Sequence, residues 1–132
     1  MSLDAKEYTR MLDELKKGRK AADFLLDFAD LIKANGDLIS GDTQDSIEKI
    51  TEAARSVHSS IEKLSTSVNE DLNKVPLDEN EIKDAGKKLL LYQDRQHVII
   101  HCQQQMANNQ KGSYWYNYWE GVLNNVLNME EQ

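Results

Sequence analysis

Cysteine occurs once, as Cys102, so no internal disulfide can form, and a reducing, cytoplasmic setting is the default expectation, with leaderless export left open. Proline also occurs once, as Pro76, which leaves the backbone a single obligatory helix stop. Uninterrupted apolar runs reach only three or four residues, as at Leu89 to Tyr92, far short of the roughly 20 that span a bilayer. Residues 1–10 are charged and lack the apolar core of a secretory signal. Basic residues are outnumbered 16 to 23 by acidic ones, for a net charge of −7. Phosphate-tracking nucleic-acid binding and docking on anionic lipid both need clustered Lys and Arg, so neither nucleic acid nor membrane is an expected partner. A Gly-rich phosphate loop, a Gly-x-Ser-x-Gly elbow and a Cys-x-x-Cys pair are all missing. Nucleotide hydrolysis, acyl transfer and thiol redox exchange therefore have no sequence warrant, and the chain reads as a non-enzymatic protein without a cofactor.

What the sequence has is helical periodicity. Ile47, Ile50, Ala54, Val57, Ile61, Leu64, Val68, Leu72 and Val75 form a ladder at spacings of three and four, sustained over four heptads. Four helices are predicted, over about 4–35, 43–75, 79–111 and 114–129. The first carries Tyr8, Met11, Leu12, Leu15, Ala22, Leu25, Leu26, Ala29 and Ile32 and ends at Asn35-Gly36. Gly18 falls on its apolar stripe, where it would let another helix approach closely. Asp42 or Thr43 is expected to cap the second helix, Asp78 with Glu81 to open the third, and Ser113 the fourth.

Three segments of nearly equal length, joined by short connections, predict an all-α fold in a single domain over 1–132. Its form is an antiparallel up-down-up bundle of three long helices, with the shorter fourth packed back over one end. A second apolar stripe on the first helix, Phe24, Phe28 and Leu31, should then lie under the fourth. Trp115, Trp119, Val122, Leu123, Val126 and Leu127 would face inward. At the opposite, three-helix end, Leu90 and Leu91 would stay partly uncovered, and self-association is expected there.

Tyr114, Trp115, Tyr116, Tyr118 and Trp119 place five of the nine aromatic residues in six positions, more than one helical face can bury. Tyrosine anchors interfaces well, supplying rigid contact area with a polar tip. Tyr114, Tyr116 and Tyr118 are therefore candidate partner-binding residues. Glu48, Glu52 and Glu62 on the second helix would steer a basic protein partner. An immunity protein or antitoxin, a secretion chaperone or an assembly subunit would each fit such a module.

The alternative class is a metal-binding or phosphate-relay protein. Asp94, His97 and His101 share a helix face, and the two histidines have the i, i+4 spacing that two metal-bound imidazoles need. Further ligands are lacking, so no metal site is expected. An acidic helical bundle with His58 midway along a helix is similar to the histidine phosphotransfer domains. That resemblance implies phosphoryl transfer at His58, although the family's usual Lys-Gly three and four residues on is here Ile61-Glu62.

Overall fold

In the computed structural model, which describes residues 3–129, side-chain caps decide where the helices begin. The Asp4 carboxylate accepts the Glu7 amide at 2.9 Å and opens α1 (Ala5–Ala34), and the Asn35 amide closes it by donating to the Ile32 carbonyl at 3.0 Å. A single 3-10 turn, Gly36–Leu38, follows. Ser40 then accepts the Thr43 amide at 3.2 Å and caps α2 (Gly41–Asn73), in place of the expected Asp42 or Thr43. Asp78 accepts the amides of Asn80 and Glu81 to start α3 (Glu79–Tyr92), as its spacing to Glu81 implies.

The third long helix expected over 79–111 is in fact two. Gln93 and Asp94 are extended, and the Asp94 carboxylate accepts the His97 amide at 2.9 Å, starting a new helix, α4 (Arg95–Ala107). The apolar spacing continues across the break, but a cap that captures its own backbone donor ends the run. Gly112, the one described residue with a left-handed backbone (φ +86°), makes the turn into α5 (Tyr114–Asn128), which Ser113 caps as expected. Among the described residues the protein is all-helical, with five α-helices and no strand. None of these helices is long and apolar enough to cross a membrane.

The chain forms two compact units, Met1–Leu72 and Asn73–Gln132. In the first, α1 and α2 run past one another in opposite directions: Arg19 meets Glu62, Asp23 meets His58, and Met11 and Leu15 share a groove with Leu64 and Val68. A Cβ placed on Gly18 would lie 3.1 Å from the Ile61 side chain, so the bare backbone there does admit a close neighbour. Apart from Glu62, which is half-buried beside Arg19, the buried or half-buried positions of α2 are 47, 51, 54, 58, 61, 65, 68 and 72, an alternation of four and three. A third of the expected ladder is therefore displaced, since Ile50, Val57 and Leu64 are exposed at 37%, 49% and 51%. Thr51, His58 and Ser65 take their places in the seam, and the buried Thr51 hydroxyl is satisfied by donating to the Ile47 carbonyl at 2.8 Å. Met11 and Leu25 of the expected α1 stripe are exposed as well.

In the second unit α5 packs against both α3 and α4. The largest fully buried side chains among the described residues, Ile82, Val98, Cys102, Val122 and Val126, all lie here. Glycines set the α3–α5 approach. A Cβ on Gly121 would meet two carbons of Ile82 at 3.2 Å, and one on Gly86 would meet Val126 at 3.3 Å. Arg95 donates to the Leu127 carbonyl at 2.8 Å, and the Asn73 side chain accepts the Tyr114 amide at 3.0 Å, which ties down both ends of α5.

Candidate functional surfaces

The inner face of α5 is the row Tyr114, Tyr118, Val122 and Val126, spaced by four. This reverses the expected roles of the aromatic residues. Tyr114 and Tyr118 are core residues, while Trp115, Trp119 and Tyr116 are half-buried and Leu127 is exposed. The cause is the contact of Gly121 with Ile82: once that backbone lies against α3, Val122 and Val126 are turned inward and the tryptophans fall on the flank. Tyr114 and Tyr118 are thus corrected from surface to interior. Their rings lie 6.5 Å apart and each is edge-on to Trp115, at 5.0 and 5.1 Å. Burial pushes the Tyr118 hydroxyl above its ordinary pKa, helped by the nearby Glu81 and Cys102. The tyrosine surface read from the sequence does not form.

Asp94, His97 and His101 fall at the α3–α4 break. The Asp94 carboxylate is already engaged: besides the His97 amide it takes the His97 Nδ1 at 2.7 Å. These bonds, the backbone one first, hold its pKa below the usual aspartate value. The His101 ring is edge-on to Trp119 at 5.2 Å. Among the described residues no group of three His, Cys, Asp or Glu side chains is placed to hold a metal ion. Cys102, beside His101 in sequence, is fully buried, and burial raises its thiol pKa.

His58 is half-buried in the α1–α2 seam, its Nε2 3.5 Å from Asp23 and 4.0 Å from Glu62. Glu62 also meets Arg19 at 2.9 Å, an ion pair half-exposed on both sides and worth under about 1 kcal/mol. Part of its charge is thereby compensated inside the unit. Glu48 and Glu52 are exposed on α2.

The apolar surface that sequence reading assigned to the interior is Phe24, Phe28 and Leu31. Phe24 and Leu31 are 67% and 63% exposed, and Phe28 is exposed as well, so the expected burial of this stripe is overturned. The inner seam of α1 is already taken by Ala22, Leu26 and Ala29. The rings of Phe24 and Phe28 stack at 6.4 Å, and Asp23, Asp27 and Asp30 stand exposed around them. The signal was present in the i, i+4, i+7 spacing, but spacing does not say whether a second stripe is covered. Leu91 and Tyr92, at the end of α3, are also exposed, while Leu90 is half-buried. No family model matches the chain, and neither does a curated protein or a solved structure.

Proposed function

We propose that this chain is a non-enzymatic protein-interaction module whose α1 surface receives a basic amphipathic segment of a partner protein. The observation that carries the reading is the exposure of Phe24 and Leu31 on a helix whose inner seam is already filled. Large apolar side chains in a contiguous row, rimmed by polar groups, are what interaction surfaces display. The rim is acidic: Asp23, Asp27 and Asp30 surround the row, and Glu48 and Glu52 add negative charge on α2. An amphipathic helix would lay its apolar stripe on Phe24, Phe28 and Leu31 and set its Lys or Arg residues against the aspartates. The charges would govern the rate of encounter more than the final affinity.

Affinity capture from the native host tests this, comparing the wild-type chain with Phe24→Asp/Leu31→Asp and with Asp27→Lys. A specific partner should be lost in the first variant and weakened in the second, with a marked salt dependence. The same partners retained by all three proteins would remove the reading.

A further inference from the structure

The side of the α1–α2 hairpin that carries Met11 and Leu64 has a regularity unrelated to the Phe24 surface. On α2 three exposed large residues, Ile50, Val57 and Leu64, recur every seven positions. Between them, also every seven, stand the small exposed residues Ser46, Ala53, Ser60 and Ser67. Together they make a second heptad seam beside the one α1 occupies, whose seven positions from 46 to 67 are all uncharged, with Lys49 and Lys63 on its border. On α1 the exposed Met11 and Leu25, two heptads apart, belong to the same side, because Met11 and Leu64 line one groove.

The hairpin also has little interior of its own. Half of its buried residues are alanines, the others being Ile47, Thr51, Val68 and Leu72, whereas the largest fully buried side chains among the described residues all lie in the second unit. A helix pair with a small core and an outer row of exposed apolar side chains has a face able to close a larger bundle, here with Arg10 and Glu14 at the edge of its groove. We infer that the occupant of this face is the same face of a second copy, so that two α1–α2 hairpins close into a four-helix bundle.

Three arguments favour a second copy over a foreign partner. The seam positions themselves carry no charge on α2, and the two flanking lysines, Lys49 and Lys63, are too few to define a charged docking face. The pattern is self-complementary: with two α2 helices antiparallel, one register sets Ile50 against Ser67, Val57 against Ser60 and Leu64 against Ala53 of the other copy. Large then meets small in each of these layers, and only Ser46, which falls opposite the exposed Asp71, lies outside the pattern. The arrangement is two-fold symmetric, the commonest closure of homo-oligomers. In size, a face about 30 Å long and about 20 Å across approaches, with side-chain relief, the roughly 800 Å² per partner of a standard interface. Phe28 lies one turn from Leu25, so the two surfaces adjoin on α1, but the self-complementary pattern rests on α2 alone.

Sedimentation equilibrium of the full chain, taken into the high micromolar range, tests the inference. The wild type should have twice the mass of one chain. Ser60→Arg, a change at an exposed position that α1 does not touch, should give a monomer with unchanged helical circular dichroism, and Val57→Lys should do the same. Ser59→Arg, exposed but off the seam, should remain a dimer. A monomeric wild type overturns the inference, and so does a dimer that survives both seam variants or is lost equally in Ser59→Arg.

Discussion

Gly121 has two opposed consequences that a single methyl group separates. Alanine in its place would favour the helical backbone by about 1 kcal/mol. The added carbon would also sit 3.2 Å from Ile82, which is fully buried and branched at Cβ, so it cannot swing aside. Overpacking of that kind costs about 1–3 kcal/mol, and Gly121→Ala should therefore lower stability by about 1 kcal/mol in denaturant titrations. Gly36→Ala, in the 3-10 turn where nothing lies within 4 Å, is the unobstructed comparison and should raise the midpoint slightly, by up to about 1 kcal/mol of stability. A stabilised Gly121→Ala would mean that α3 and α5 lie farther apart than described. Cys102 gives a second test at this scale. Its thiol is fully buried and its pKa raised by that burial, so a thiol reagent at neutral pH should leave the native protein unmodified and label one site per chain in denaturant. Prompt labelling of the folded protein would contradict its placement.

At the scale of the element, the start of α4 is tied to one carboxylate. Asp94 has a lowered pKa in the fold, chiefly because the His97 amide donates to it. The stabilisation it gives the first turn of α4 is present above its unfolded-state value and is lost as pH falls through the lower folded one. The His97 amide should thus keep its hydrogen-bonded NMR shift through mildly acidic pH and lose it only below the usual aspartate range. In Asp94→Ala that acid transition should disappear; its persistence would assign the effect elsewhere. The caps at Asp78 and Ser113 and the stop at Asn35 were legible in the sequence because each is decided by neighbours three or four residues away. The break at Asp94 was hidden because Leu91 and Tyr92 are followed seven residues on by Val98 and Ile99, so the heptad phase is kept across the polar residues 93–97. Which of two stripes on α2 faces α1 was not legible either. Ile50, Val57 and Leu64 are more apolar than Thr51, His58 and Ser65, and only the partner helix decides between the rows. The same holds for α5, where hydrophobicity points to the tryptophans and the fit of Gly121 on Ile82 selects the tyrosines. The Phe24–Leu31 stripe was visible as a pattern, but its exposure is a property of the tertiary fold.

For the whole molecule, the two units have unequal interiors, and the chain offers a way to follow them separately. Both tryptophans, Trp115 and Trp119, lie in the second unit, so their fluorescence reports on that unit alone, whereas helical circular dichroism reports on both. With Ile82, Val98, Val122 and Val126 fully buried in one unit and alanine at half of the buried positions of the other, urea should reduce the circular dichroism before the fluorescence shifts. Coincident transitions would show that the two unfold as one. A last consequence concerns alignment. A heptad repeat is blind to translation by seven: slide α2 along α1 by one repeat and every apolar contact finds an equivalent neighbour. Gly18 breaks that degeneracy, because the notch it leaves is filled by Ile61 and a slipped hairpin would offer it Ala54 or Val68 instead, leaving a void or a different fit. One missing side chain thus acts as a keyway, choosing a single sliding position among alignments that the repeat alone would leave nearly equal in energy.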